Sequence, residues 1–260
     1  MGAVRPCTRK GVCMELVTDK IEGRNPVAEA LKSGRPIDKI YIKKGSRRGS
    51  IIPILAKARQ SGISVVETDA HKLDEMSETG AHQGIIAMCA AAEYAQLEDI
   101  FDNAEKKGEK PFIVILDKVR DPHNLGSVIR TANCAGAHGV IIPKHDSVGL
   151  TAACCKAAAG AEEYTPVVRA ANLAKTIDEL KERGVWITGA DASGDRTLYE
   201  ADLKGAAAVV IGSEGEGISR LILDKCDFVV KIPMKGNVNS LNASVAAALF
   251  IYEAVRQNNN

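Results

Sequence analysis

Phe228-Val229-Val230-Lys231-Ile232-Pro233-Met234 leads into Lys235-Gly236-Asn237-Val238-Asn239-Ser240-Leu241-Asn242, and that into Ala243-Ser244-Val245-Ala246-Ala247-Ala248-Leu249-Phe250. Phe228 to Ile232 is a β-branched run of the kind that forms a buried strand. Pro233 cannot donate to a sheet ladder, so the strand is expected to end near it. A polar turn follows, with Ser240 placed to cap a helix. Leu241, Val245, Leu249 and Tyr252 then recur at helical spacing with small Ala and Ser residues between them, so another backbone can approach closely. The turn gathers Asn237, Asn239, Ser240 and Asn242 where a helix amino end presents free N–H donors, which suits an anionic or polar ligand. Taken alone, the stretch is read first as an ordinary capped core helix.

Upstream, from Pro111, the same strand-then-helix pattern repeats. Strands are expected at Phe112–Leu116, Val140–Ile142, Val185–Thr188 and Ala208–Ile211, and helices at Leu125–Ala135, Thr151–Ala159, Leu173–Glu182, Ile218–Leu223 and Leu241–Val255. Continuous apolar strands alternating with helices predict an α/β fold, a parallel sheet with helices on both faces. Ligands in such sheets bind beyond the carboxyl ends of the strands.

The amino-terminal part predicts a smaller α/β unit of about 75 residues, within the usual domain range. Its helices are read at Glu22–Gly34, with Gly34 as a stop, at Ile51–Gln60 and at His71–Met76. Its strands are read at Lys39–Ile42, Ser64–Glu67 and Gly84–Met88. The loop Lys43-Lys44-Gly45-Ser46-Arg47-Arg48-Gly49 concentrates four cations around glycines. It either holds phosphates or is a solvated surface loop. In the turn Gly80-Ala81-His82-Gln83-Gly84, His82 and Gln83 either read a base edge or fill the turn. The expected division is 1–14, a disordered or non-native leader; 15–92, the smaller domain; 93–110, an interdomain helix and linker; and 111–257, the larger domain.

Composition bounds the function. The chain has 260 residues, 45% of them apolar, and a formal net charge of +1, so a nucleic-acid partner must rely on local basic patches rather than bulk charge. No apolar run approaches the roughly 20 residues of a membrane span, and Met1 to Met14, which has no apolar h-region, is not expected to be a secretory signal. Seven cysteines include no Cys-x-x-Cys pair. An odd number suits no disulfide framework, and a reducing cytoplasm without a zinc site is expected.

Three polar turns fall at expected strand ends. In Asp117 to Ala132, Pro122 pushes Asp121 to extended backbone, Asn124 is placed to cap the helix, and Gly126 one turn before Arg130 gives its guanidinium room. A functional Arg130 would clamp phosphate or carboxylate. Ile211-Gly212-Ser213-Glu214-Gly215-Glu216-Gly217 either lets a ligand approach backbone closely or is a Gly-rich turn with solvated glutamates. It is neither a dinucleotide fingerprint nor a P-loop, and its two carboxylates favour a cationic or neutral ligand. The third turn is the opening stretch, and a further loop follows Thr188-Gly189. Several such turns at neighbouring strand ends point to one shared pocket.

Asp121 to Ala132, Ile211 to Gly217 and Ile232 to Ala246 resemble, in order, spacing and wording, the three motifs of SpoU-type RNA ribose 2′-O-methyltransferases of the SPOUT superfamily. Glu22-Gly23-Arg24-Asn25-Pro26-Val27 and His82-Gln83-Gly84 resemble the amino domain of the branch that methylates a guanosine of 23S ribosomal RNA. The resemblance implies a ribosomal-protein-like RNA-substrate-binding domain at 15–92, a methyltransferase domain at 111–257 with a carboxyl-terminal trefoil knot, S-adenosylmethionine as cofactor, and a cytoplasmic homodimer with its active site near the subunit interface. It implies cofactor contacts at Gly189, Gly212, Ile232 and Leu241. Catalytic and substrate-positioning roles are implied for Asn124, Arg130, Glu214, Ser240 and Asn242, and RNA contacts for Arg24, Asn25, Lys43, Lys44, Arg47, Arg48, His82 and Gln83. Open alternatives are an enzyme of the same chemistry acting on transfer RNA or at a resistance site, and a non-catalytic RNA-binding or ribosome-assembly protein. Neutralising Lys43, Lys44, Arg47 and Arg48 together is expected to weaken RNA binding and flatten its dependence on salt in a filter-binding series. An unchanged salt slope would leave the loop as solvated surface.

Overall fold

The computed structural model describes residues 20–258 except 34, 47–48, 78, 90–91 and 238–239. The expected leader at 1–14, the helix stop at Gly34, and Arg47, Arg48 and Asn239 lie outside the described residues.

The amino-terminal unit runs β1 (Lys20–Glu22), α1 (Arg24–Ser33), β2 (Ile37–Lys43), α2 (Ile51–Gln60), β3 (Ser64–Thr68), α3 (Ala70–Met76) and β4 (Ile85–Cys89). Its sheet has the order β1-β4-β2-β3. Strand β4 pairs antiparallel with β1 and β2, and β2 pairs parallel with β3. Ile40, Ile42 and Ile85 meet Val27, Leu31 and Ile54 of the helices in its core.

The larger unit runs α4 (Leu97–Lys107), β5 (Phe112–Leu116), α5 (Pro122–Cys134), β6 (Gly139–Pro143), α6 (Ala152–Ala158), β7 (Val167–Ala170), α7 (Leu173–Glu182) and β8 (Trp186–Ala190). It continues with β9 (Arg196–Thr197), β10 (Ala207–Ile211), α8 (Arg220–Leu223), β11 (Phe228–Lys231) and α9 (Ala243–Asn258). The seven strands form one parallel sheet in the order β7-β6-β5-β10-β8-β11-β9.

Period-two alternation explains the unbroken apolar strands. Val114 and Leu116 of β5 enter a cluster with α5, α6 and α9, while Ile113 and Ile115 enter another with α4, α7 and α8. Both faces are therefore buried. The segment read as an interdomain helix and linker carries α4, whose Ile100 is fully buried in the second cluster. Among the described residues no helix is long and apolar enough to cross a membrane.

Helix starts differ from the sequence reading. Helix α5 begins at Pro122 and is capped by Asp121, whose carboxylate accepts from the His123 amide at 2.9 Å. Asn124 is thereby released from capping. Helix α9 begins at Ala243, not Leu241. Asn242, not Ser240, caps it by accepting from the amides of Ser244 at 2.9 Å and Val245 at 3.3 Å. Ala243, Ala247, Phe250, Ile251 and Ala254 are buried, whereas Val245, Leu249 and Tyr252 are 48%, 38% and 51% exposed. The small residues let α9 lie close to its neighbours, and the large apolar stripe is left outward.

Gly126 also has a different purpose from making room for Arg130. A Cβ there would sit 2.4 Å from the Cys154 carbonyl oxygen and 2.6 Å from Ala157 Cβ, so glycine permits α5 and α6 to touch. Ala is the better helix former by about 1 kcal/mol, but overpacking against fixed backbone costs about 1–3 kcal/mol. Gly126→Ala is expected to lower the urea midpoint. A midpoint at or above that of the parent chain would show that α6 can yield.

Candidate active site

Strands β6 and β7 lie on one side of β5, and β10 and β8 on the other. The chain thus switches direction at the β5–β10 seam, and loops leaving such a switch point open a crevice. Asp117, just after β5, is nearly fully buried and ties the two loops together. Its amide donates to the Ile211 carbonyl at 2.8 Å, and its carboxylate accepts from the Ser219 amide at 2.7 Å.

The loop after β10 folds back on itself through paired amide–carbonyl bonds between Ser213 and Gly217, at 3.0 and 3.1 Å. Gly212 makes this closure feasible, because a Cβ there would lie 2.1 Å from the Gly217 carbonyl carbon. The closed loop presents Glu214 to the amino end of α9. One carboxylate oxygen, Oε1, accepts from Asn124 Nδ2 at 2.8 Å, from Asn242 Nδ2, and from the Ala243 amide at 3.4 Å. Asn242 Nδ2 also lies 2.9 Å from Asn124 Oδ1. Three separate motifs therefore meet on one oxygen, at the end of a helix that favours negative charge. The neighbouring Glu216 pairs with Lys118 at 3.1 Å and Arg120 at 3.6 Å. The hydrogen bond from Lys118, followed by the charges of Lys118 and Arg120, holds the Glu216 carboxyl below its usual range.

Against these loops lies a cavity of about 330 Å³. Its walls mix apolar side chains (Val230, Ile232, Leu241, Phe250) with the backbone of Gly212 to Gly217 and with carboxylates at Asp191 and Glu214. Volumes of this order hold small cofactors. Apolar walls, open backbone and nearby carboxylates suit a partly apolar ligand carrying positive charge.

Of the expected cofactor residues, Gly212, Ile232 and Leu241 line the cavity, while Gly189 does not. Gly189 sits inside β8, where an added Cβ would meet Cys226 Sγ at 2.9 Å, and the next residues, Ala190 and Asp191, reach the cavity instead. Glu214 and Ser240 line it, and Asn124 and Asn242 stand behind Glu214. Arg130 does not join them. It is exposed on α5, and its side chain makes no hydrogen bond or ion pair among the described residues. Sequence reasoning passed over Asp117 and Asp191. The signal available for both was an acidic residue at or just past the end of an apolar strand. Burial pushes the thiols of Cys154 and Cys226 up to about 12, so neither supplies a ready thiolate.

In the amino-terminal unit, a depression of about 860 Å³ gathers Arg24, Asn25, Lys43, His82 and Gln83. Gln83 Oε1 accepts from the Arg24 amide at 3.3 Å, and the Arg24 guanidinium donates to the Gln83 carbonyl at 3.2 Å. His82 Nδ1 accepts from the Gly84 amide at 3.1 Å, which leaves Nε2 to donate to Asp74 at 2.8 Å. These side chains both fix the turn and line the depression. Lys44 is exposed beside it.

Asn242→Ser separates capping from site assembly. Serine keeps a capping oxygen, so stability is expected to change by only a few tenths of a kcal/mol, against about 1 kcal/mol for Asn242→Ala. The amide donors to Glu214 and Asn124 are lost in both, and ligand affinity measured by calorimetry is expected to fall in both. Full affinity in Asn242→Ser would show that the amide is not needed.

Comparisons with known proteins agree with this geometry. Residues 111–252 match the SpoU rRNA Methylase family, and residues 20–95 match the family described as RNA 2′-O ribose methyltransferase substrate binding. The chain is 48% identical over 241 residues to a Bacillus subtilis protein, YacO, placed by its name in the TrmH family of tRNA/rRNA methyltransferases, covering 93% of this chain and 96% of that one. Among solved structures it resembles the SpoU methyltransferase AviRb of Streptomyces viridochromogenes in complex with AdoMet, with a TM-score of 0.59, 25% identity, and 92% and 89% of the two chains covered. It also resembles an AdoMet-bound rRNA methyltransferase of Sinorhizobium meliloti, with a TM-score of 0.58, 26% identity, and 91% and 86% covered. The chain belongs to the SpoU family of RNA 2′-O-ribose methyltransferases.

Proposed function

We propose that this enzyme transfers a methyl group from S-adenosylmethionine to the ribose 2′-hydroxyl of a guanosine in 23S ribosomal RNA, as a cytoplasmic homodimer. We further infer that residues 15–92 form the RNA-binding domain, that 111–257 form the methyltransferase domain with α4 packed onto it, and that the carboxyl-terminal segment is threaded as a trefoil knot. The observation that carries the reading is the convergence of Asn124, Glu214 and Asn242, one from each motif, beside a cavity lined by Gly212, Ile232 and Leu241.

S-adenosylmethionine, when bound, supplies a methyl group on a sulfonium that is already a good leaving group. What remains for the chain is positioning of the attacking oxygen, whose proton passes to water as the methyl group is transferred and the neutral thioether leaves. Ile232 and Leu241 enclose an apolar part of the ligand, the backbone around Gly212 offers amides and carbonyls to its polar parts, and Gly189 contributes through its strand. Glu214, held by Asn124 and Asn242, and Ser240 orient the ribose. A guanidinium keeps its proton in proteins, so Arg130 is assigned as a clamp on the adjacent phosphate and the developing oxyanion rather than as the base. Its free side chain and the outward stripe Val245, Leu249 and Tyr252 support completion of the site by a second copy. Arg24, Asn25, Lys43, Lys44, Arg47, Arg48, His82 and Gln83 would hold the RNA away from the reacting ribose.

Arg130→Ala is expected to abolish transfer while leaving S-adenosylmethionine affinity nearly intact; collapse of that affinity would reject the assignment. Arg130→Lys keeps charge and loses the fork, and near-normal activity would argue against bidentate clamping. The substrate is tested by tritium transfer to unmodified 23S ribosomal RNA and to unmodified transfer RNA. Label on a guanosine ribose of the former supports the reading, and label confined to transfer RNA replaces it.

A further inference from the structure

We propose that Asp38, Arg169 and Tyr94 form a latch that fixes the amino-terminal unit against the methyl-transfer unit, and that all three are positioning residues for RNA. The proposal rests on the function given above for its RNA readout, and on geometry alone for the latch.

The latch begins with an irregularity in β2. Ile37 pairs with Cys89 and Lys39 with Met88, neighbours on β4, so Asp38 is the extra residue of a β-bulge. In a regular strand Asp38 would share the face of Ile40 and Ile42 and point into their apolar core. The bulge gives that place to Ile37 and re-aims the carboxylate. It reaches across to the other unit, where Oδ1 accepts from Arg169 Nη1 at 2.5 Å and from the Tyr94 hydroxyl at 2.8 Å.

Arg169, on β7, uses its second nitrogen on the carbonyls of Asp38 at 3.0 Å and Lys144 at 3.3 Å. Its guanidinium lies 5.2 Å from the centre of the Tyr94 ring. The Tyr94 hydroxyl in turn accepts from the Leu150 amide at 2.9 Å. The residue after Tyr94 is pinned to the sheet edge by the Ala95–Val168 bridge. Gly149 leaves the space, because a Cβ there would lie 2.4 Å from both Asp38 Oδ2 and the Tyr94 oxygen.

Burial separates this pair from a decorative surface bridge. The side chains of Asp38 and Arg169 are 8% and 13% exposed. Exposed pairs contribute little and tolerate many geometries. A buried pair is costly to desolvate, and an apolar contact would join the units at least as well. What the charged pair adds is direction: a carboxylate satisfied by a guanidinium, a hydroxyl and a planar ring permits one relative placement. The depression at Arg24 and His82 and the cavity at Gly212 are thereby held at a set separation, which a long RNA must span.

The test uses the full chain with Asp38→Asn, Tyr94→Phe and Gly149→Ala. Small-angle scattering without RNA is expected to show a larger radius of gyration and a broader pair-distance distribution for each, with Tyr94→Phe the mildest and the most certain to fold. S-adenosylmethionine affinity is expected to stay at the parent value. For unmodified 23S ribosomal RNA, Asp38→Asn is expected to lower kcat/KM by about 10- to 100-fold, mostly through KM. Parent-like scattering from all three variants overturns the latch, and altered scattering with unchanged KM overturns its positioning role. If the parent chain transfers no methyl group to RNA, the functional reading fails, and scattering alone decides the latch.

Discussion

One carboxylate oxygen, Glu214 Oε1, draws together the first turn of α5, a folded-back loop and the amino end of α9. Its donors come from two distant parts of the sequence, Asn124 in α5 and the neighbours Asn242 and Ala243 at the start of α9. The closed loop from Ser213 to Gly217 needs Gly212; Asn124 is free to face Glu214 because Asp121 caps its helix; Asn242 caps α9 with its oxygen and binds Glu214 with its nitrogen. The cavity beside them follows from these constraints, since its walls are the strands and loops they fix.

The parallel sheet places this cluster where the strand order reverses, and two buried faces hold the strands that support it. Near-neutral net charge leaves RNA recognition to local groups. Residues 20–95 match a substrate-binding family and form a separate unit, so the distance between that unit and the cavity is a structural quantity. A bulged strand carrying a buried Asp38 against Arg169 supplies a physical means of setting it.

Much of the architecture was legible because parallel strands buried on both faces read as continuous apolar runs, separated by segments of helical length. The short strands β1, β7 and β9 were not legible: Lys20–Glu22 and Arg196–Thr197 have no apolar pattern, and Val167–Ala170 includes Arg169, which the latch occupies. The covered face of α9 was not legible, because periodicity marks an apolar stripe without saying which side is covered, and here close approach by alanines decides it. Ser240 and Asn124 were misread as caps because Asn242 and Asp121, equally good capping residues, stood nearby. Gly212, Ile232, Leu241 and Glu214 meet at the cavity as their positions at strand and loop ends suggested, whereas Gly189 packs on Cys226 and Arg130 stands apart within one chain. Asp38 could not be found from sequence, since a bulge is a property of pairing between strands.

The claim on which the rest depends is that the cavity between Gly212, Ile232 and Leu241 is where the methyl donor is held. Leu241 lies in a partly exposed turn before α9, so a larger side chain there can fill the cavity without disturbing the core. Calorimetric titration of S-adenosylmethionine into the parent chain and into Leu241→Arg is the most direct measurement. The account requires saturable binding by the parent and none by a variant that melts at the same temperature; equal affinity in the two chains would contradict it.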